Sequence, residues 1–500
     1  MNKFSHLKIF RLRTTASVSA LFVLVLAGCT MIPKYKQPNA PVSSSWPSVP
    51  GYAQIQTTNT ALPASDIGWH DFFRDPRLQQ VIEIALTNNP NLLSAVYNVQ
   101  QSRALYHVQE AALVPTVDLN ASVTRQRVPN VYNGPAGTNG SAAKPLVYTE
   151  YSANAGIASY EIDLFGRVRS LRRQALETYF ATVEARKAAQ IALVAEVGTA
   201  YLTEEEAAEQ LAVSREMLDA SRQSFDLTKR SFDAGVSSQF DLNNASTLLQ
   251  NTSAAEASYA QQFAEARDNL TLLVGEPLPV ELEPKQKLDP KACLSDIPAG
   301  LPSDLLEQRP DIMEAEHQLK AANANIGAAR AELFPTITLT GDAGYASTTL
   351  QNLFTPGSSA FGITPQLVWP IFDMGTAYNG LKAVRAAQRI QAQSYVSTVQ
   401  TAFKEVADAL AVRETVQSEL ADDETLVQAD EQSYQLTQAG FRTGVNSSLD
   451  VNVTLQTLDS ARLSLISTRY SQLISLINLY QALGGGWSEV TVTVQETARQ

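Results

Sequence analysis

Leu113-Val114-Pro115-Thr116-Val117-Asp118-Leu119 returns 220 positions later as Leu333-Phe334-Pro335-Thr336-Ile337-Thr338-Leu339. Beyond each proline the hydrophobic pattern changes period. Val117, Leu119, Ala121 and Val123 interleave with Thr116, Asp118, Asn120, Ser122 and Thr124, and residues 336–346 repeat the alternation. A period of two is that of a strand with one apolar and one small polar face. Phe361, Ile363, Leu367, Trp369 and Ile371, interleaved with Gly362, Thr364 and Gln366, form another such segment, and 149–162 is the least regular of four. Each segment has the ~9–12 residues of a tilted membrane-spanning strand.

The repeat extends outward from these strands. Asn89-Pro90-Asn91 matches Arg309-Pro310-Asp311 at the same offset, whereas Phe232, Gly235, Val236, Ser238 and Asp241 recur as Phe441, Gly444, Val445, Ser447 and Asp450, offset by 209. The difference places about 11 extra residues in the first copy, in a loop at Pro129–Pro145. A repeat of ~210 residues is too long for a solenoid and reads as duplication of a whole domain. In each copy a helical stretch (76–114, 303–334) precedes the strands and ends at a proline. Residues 167–234 then contain no proline and one glycine, Gly198, and residues 376–439 none and Gly380 alone. Helices of that length are ~100 Å long at ~1.5 Å per residue. A glycine turn leads each into a further helix, 239–274 and 448–483. The spacing of Val399, Phe403, Val406 and Leu410 fits coiled-coil packing. The expected domains are 1–28 (cleaved), 29–68 (extended), 69–288 (first repeat), 303–487 (second repeat) and 488–500 (tail).

Composition excludes several function classes. The chain of 500 residues has 38 Lys+Arg against 50 Asp+Glu, a net charge of −12, which argues against nucleic-acid binding. Two cysteines exclude a disulfide framework or a Cys-rich zinc module. The four histidines are scattered singly, and His317, beside Glu314 and Glu316, reads as part of a solvated helix face. Outside the N-terminus no apolar run reaches the ~20 residues of a spanning helix, so a helical transporter is excluded. Nucleophile elbow, P-loop, CxxC and zinc-protease motifs are missing from the sequence, so no enzyme, metal or cofactor is expected. Gly484-Gly485-Gly486 follows a helix and reads as its stop.

Lys3, Lys8, Arg11 and Arg13 precede the apolar run 20–26, the layout of a secretory signal. The run ends Leu26-Ala27-Gly28-Cys29, which resembles the bacterial lipobox. That resemblance implies cleavage before Cys29, acylation of its thiol, and, with Thr30 in place of Asp, sorting to the outer membrane. Loss of residues 1–28 leaves a net charge near −16. Cys293 is then a solitary, buried or inert thiol. Pro33 to Pro63 reads as an extended linker.

Four strands cannot close a barrel, and lipid tolerates no open sheet edge. If the strands span a membrane, several chains share the barrel. The competing reading is a non-conducting periplasmic coiled-coil scaffold or adaptor lipoprotein.

The lipobox, the duplicated order of helix, hairpin and long helices, and Tyr160-Glu161-Ile162-Asp163-Leu164-Phe165-Gly166-Arg167 resemble the TolC-family outer-membrane factors of the OprM-like lipoprotein branch. So do Glu307-Gln308-Arg309-Pro310-Asp311-Ile312, Phe403-Lys404-Glu405-Val406-Ala407-Asp408-Ala409-Leu410 and Ala482-Leu483-Gly484-Gly485-Gly486-Trp487. The resemblance implies an α+β membrane protein: a homotrimer whose four strands per chain make a 12-stranded outer-membrane β-barrel, continued into the periplasm by a coiled-coil α-helical barrel. It implies the exit duct of a tripartite efflux pump, with a periplasmic adaptor and an inner-membrane transporter of RND type as partners. By motif position the duct narrows at the turn Gly440–Val453, with Phe441, Leu449 and Asp450 lining the constriction and Arg442 a candidate gate partner. Asn446 and Val453 depart from charged residues of some members. Asp450 also suits an N-cap, the role expected of its counterpart Asp241.

Overall fold

Proline and an amide side chain divide the first helical stretch. A computed structural model describes residues 30–43, 63–128, 146–283, 285, 287–295, 297 and 305–491. The leader with Cys29, the loop 129–145 and the tail beyond Thr491 lie outside the described residues. After the short helix α1 (Trp69–Phe72), the expected 76–114 helix is two, α2 (Pro76–Asn88) and α3 (Pro90–Ala111). Pro90 lacks the N–H that would continue α2 but suits the first position of α3. Asn89 Oδ1 accepts from the N–H groups of Asn91 and Leu92 at 2.9 and 3.1 Å, capping α3, and its Nδ2 donates to the Leu273 carbonyl at 2.7 Å. The second copy breaks likewise, into α6 (Leu305–Gln308) and α7 (Pro310–Ala331). There Arg309 donates through Nη1 to the carbonyl of Ala482, the equivalent of Leu273, at 2.8 Å. Its remaining guanidinium nitrogens grip Asp311 (3.0 and 2.6 Å) and Glu405 (2.8 Å).

The chain divides into two compact units. One comprises described residues within Met1–Gln37, Gln101–Tyr179 and His317–Ala392, and the other Pro38–Gln100, Phe180–Glu316 and Gln393–Gln500. The first holds the sheet: β1 (Asp118–Val128), β2 (Leu146–Glu161), β3 (Thr336–Ser347) and β4 (Ser359–Val368), antiparallel in the order β1-β2-β3-β4. Their ends lie within three residues of the alternating segments, except that β1 runs on four residues past Thr124; Trp369 and Ile371 fall beyond β4. His317 corrects the expectation of a solvated face: its Nδ1 lies 2.7 Å from Oε2 of buried Glu177, which Arg173 also grips at 2.5 Å. The partner sits 140 positions away, so local spacing gave no sign of it.

The second unit holds the main core. Trp69, Phe72, Phe73, Leu78 and Ile82 pack with Tyr201, Leu270, Val274, Ile477 and Tyr480. Tyr480 stacks on Phe72 at 4.0 Å and donates its hydroxyl to the Ile67 carbonyl at 2.6 Å. Val399, Val406 and Leu410 are buried here as their spacing requires. Cys293 is buried and unbridged, and burial pushes its thiol up to about 12, so it is inert.

The long helices are α4 (Arg167–Asp233), α5 (Gln239–Val274), α8 (Thr376–Arg442) and α9 (Ser448–Ala482); α4 and α8 each run 67 residues. Among the described residues no helix is long and apolar enough to cross a membrane.

Candidate functional site

The register of the sheet assigns each side chain to a face. Directly opposed residues share a side, and the pairs Leu119–Ala155, Ala155–Ala343 and Ala343–Phe361 run across one face. With Val117, Val123, Ile157, Ile337, Leu339, Tyr345, Ile363 and Leu367 they make it apolar. A bulge between Ile157 and Tyr160 shifts the parity, so Tyr160 opposes Leu339 and joins that face. The other face carries Asn120, Ser122, Thr124, Ser152, Asn154, Thr340, Thr364 and Gln366. Its polar groups bond across strands, Ser122 to Ser152 at 2.8 Å and Asn154 to Asp342 at 3.0 Å. Four carboxylates lie on it: Asp118, Glu150, Glu161 and Asp342. Glu161 is bound by Arg167 at 2.9 Å through Nε.

Two features of the sheet require a partner. In the single chain Leu119 is 86% and Phe361 83% exposed, and burial of apolar surface is worth ~25 cal/mol per Å². Among the described residues β1 and β4 are also both edges. An apolar outer face, a hydroxyl- and carboxylate-lined inner face and two unpaired edges suit a segment of a barrel wall.

The second candidate element is the turn between α8 and α9. The α8 backbone closes through the Val445 N–H to the Gly440 carbonyl at 2.8 Å, and Gly444 takes φ +79°. That left-handed conformation costs an L side chain ~1–2 kcal/mol. Ser447 caps α9, accepting from the Asp450 N–H at 3.2 Å, while Asp450 Oδ2 accepts from the Ser447 N–H and Oγ, both at 2.8 Å. Asp450 is thus the third residue of a capping box, and Ser447 the N-cap expected of it. These bonds, the backbone one first, hold the Asp450 carboxyl below its ordinary range. Leu449 is exposed and shares a face of α9 with exposed Val453; Val445 at the turn tip is exposed too. Phe441 is half-buried, and Arg442 is exposed with a long 3.4 Å contact to Gln438.

A third feature went unread in the sequence. Residues 31–33, in the segment 29–68 expected to be extended, are docked along α7. Asn323 Nδ2 donates to the Pro33 carbonyl at 2.9 Å and Arg330 Nη1 to the Met31 carbonyl at 3.1 Å. A Cβ on Gly327 would lie 2.7 Å from Ile32 Cγ1, so the helix offers a notch for the strap. Gly327 and Asn323 were the available signals, mute without knowledge of what they face. Among the described residues no cluster of His, Cys, Asp and Glu suits a metal ion.

The model of a family described as outer membrane efflux protein matches residues 81–276 and 301–485. The antibiotic efflux pump outer membrane protein ArpC of Pseudomonas putida is 42% identical over 479 residues, 96% of this chain and 97% of that one. The toluene efflux pump outer membrane protein TtgC, also of Pseudomonas putida, matches with the same identity, 42%, over the same shares. Among solved structures, the open state of the Neisseria gonorrhoeae MtrE outer membrane channel superposes with a TM-score of 0.81 at 35% identity, covering 93% of this chain and 100% of that one.

Proposed function

This chain belongs to the outer membrane efflux protein family, and from that premise we propose that it is the exit duct of a tripartite efflux pump, closed by three copies and gated at the α8–α9 turn. It is an outer membrane channel and not an enzyme. The observation that carries the rest is the two-faced sheet with both edges open. β1 and β4 run in opposite directions, so β4 of one copy can pair antiparallel with β1 of the next. Three copies of four strands close a twelve-stranded barrel without an edge.

In this reading the polar face lines a water-filled lumen, and Asp118, Glu150 and Asp342 give it a negative field that favours cations. The long helices continue the duct into the periplasm. A periplasmic adaptor docks there, and an inner-membrane transporter of RND type supplies the driving force, so conduction through this chain is passive. Three copies of Leu449, flanked by Val445 and Val453, form an apolar collar, and three of Asp450 a ring of charge; Phe441 and Arg442 lie beside them at the end of α8. Opening splays the coiled coils. Cleavage before Cys29 and acylation of its thiol add a lipid anchor, and the docked strap from Met31 onward fixes where that anchor leaves the protein. Relatives of equal identity are named for antibiotic and for toluene efflux, which fits a duct whose cargo is chosen by its partners.

Reconstitution into planar bilayers tests this. The protein is expected to require detergent, to migrate as a trimer and to pass ions at low conductance, and L449A should raise the conductance several-fold by widening the collar. A detergent-independent monomer without conductance would overturn the reading in favour of a scaffold.

A further inference from the structure

The four strands carry two basic residues, and both are on the apolar face. Arg125 and Arg127 follow Leu119, Ala121 and Val123 in the same alternation along β1, whereas the carboxylates of the sheet all lie on the polar face. Acid and base are thus sorted by face, and the bases stand at one end, beside the β1–β2 hairpin and away from the strand ends that lead into α4 and α8.

Their height on the sheet is set by register. Val123 pairs with Tyr151, Arg125 with Thr149 and Arg127 with Val147. Tyr151 in turn pairs with Ser347, and Ala153 with Tyr345. Tyr345 meets Phe354 edge-on at 5.4 Å. These aromatic rings lie near the end of the apolar band, with exposed Val147 the one large apolar side chain beyond them on this face among the described residues, as rings do at the boundary between hydrocarbon and headgroups. At ~3.4 Å per residue the two arginines lie ~7 and ~14 Å along the strand beyond Tyr151, somewhat less along the membrane normal once tilt is included. That is headgroup depth. Guanidinium groups two residues apart on one face are ~7 Å from each other and each can take a phosphate bidentately. Ser347 adds a hydroxyl at the level of Tyr151, where a sugar ring would lie.

We propose that Arg125 and Arg127 form, on each copy, a binding site for the phosphate groups of a phosphorylated acyl-glycolipid of the outer leaflet. The inference rests on the barrel reading, because only then does this face meet lipid with the hairpins outward. Such a site fixes the height of the barrel in the leaflet and draws an ordered lipid to the β1 edge where copies join.

Native mass spectrometry of the detergent-solubilised full-length trimer tests it, with bisphosphorylated lipid A, the same glycolipid stripped of phosphate, and inorganic phosphate as probes. Bisphosphorylated lipid A should be retained at least ten-fold more strongly than its dephosphorylated form by the wild-type protein, a comparison that needs no variant. R125Q/R127Q should abolish the difference and R125K/R127K restore part of it, with bilayer conductance at the wild-type level in both. Equal retention of the two glycolipids by the wild-type protein would overturn the site, as would full competition by millimolar inorganic phosphate or unchanged retention in R125Q/R127Q. A conducting trimer that fails these tests leaves the duct reading standing, and a protein that neither trimerises nor conducts removes the duct reading itself.

Discussion

The turn Ser231–Asp241 and the turn Gly440–Asp450 share one backbone and differ in what they carry. Gly235 and Gly444 take φ +76° and +79°. The Val236 N–H reaches the Ser231 carbonyl at 2.9 Å as that of Val445 reaches Gly440 at 2.8 Å. Ser238 with Asp241 and Ser447 with Asp450 close identical capping boxes. The side chains have diverged around this frame. Ser231 and Ser237 are replaced by Gly440 and Asn446, and a Cβ at 440 would lie 2.6 Å from Asn446 Oδ1, so the larger amide packs on bare backbone. Phe240 becomes Leu449. Glycine, serine and aspartate build the turn, and the positions between them are free to acquire a function in one copy alone. The assignment of the gate to the second copy therefore rests on side chains and can be broken by treating the two turns alike.

The largest expected effect is on ion selectivity. D450N and D241N remove the same capping carboxylate from equivalent turns and should loosen the starts of α9 and α5 alike. In bilayers, D450N should lower the cation-to-anion permeability ratio several-fold, since three carboxylates would leave the proposed constriction, while D241N should leave it within error. Measuring reversal potentials in a salt gradient decides this. Equal shifts in both variants would mean that the duct narrows at both turns or at neither.

A second contrast lies at the breaks before Pro90 and Pro310. Asn89 and Arg309 hold the same carbonyl of the last helix in their copy, at Leu273 and Ala482. Arg309 is also tied to Asp311 and Glu405, its own side chain only 9% exposed. R309A strips two carboxylates of a buried partner. Because those carboxylates reach solvent, a loss of about 2 kcal/mol is expected, below that of a fully buried pair. N89A removes a helix cap and should cost about 1 kcal/mol. Thermal unfolding followed by helical circular dichroism ranks the two, and a greater loss in N89A would show that the charge adds nothing to the clamp.

The long helices were legible because nothing interrupts them. Residues 167–234 and 239–274 were expected, and α4 ends at Asp233 and α5 at Val274. The strands were legible through alternation, which one apolar and one polar face impose on every residue. Pro90 and Pro310 do not announce themselves as breaks, because proline at the first position of a new helix looks, in sequence, like proline inside an old one. The turn was legible as a glycine turn with a capping aspartate, but that Ser447 is the cap and Asp450 its reciprocal partner depends on backbone angles. His317 with Glu177, Arg309 with Ala482 and Asn323 with Pro33 are joined across helices. Nothing in local spacing reports a partner more than a hundred positions away.

The smallest effect separates the copies by the way they hold the segment that leads from α5 to α6. At residues 285–288 the first copy holds it with carboxylates, Glu205 Oε1 accepting from the Lys285 N–H at 3.2 Å and Glu209 Oε2 from that of Leu288 at 3.0 Å, beside Arg77, which donates to the Glu283 carbonyl at 3.1 Å. On the equivalent helix of the second copy the polarity is reversed, Arg413 donating to the Ser295 carbonyl at 2.8 Å from the position that corresponds to Glu204. Burial pushes Glu205 up to about 8 and its neighbour Glu204, whose Oε2 has no hydrogen-bond partner, up to about 7. Between the ordinary carboxylate range and those values the folded chain binds protons that the unfolded chain has released, so stability falls as pH rises through this window. The unfolding temperature should drop by a few degrees from pH 5 to pH 8.5. E205Q, which keeps an acceptor and cannot ionise, should flatten much of that slope, whereas E414Q, the same change at the exposed equivalent in the second copy, should leave it intact. A slope unchanged in E205Q would mean that water reaches this carboxylate, and the contrast between a titrating grip and a permanent one would fail.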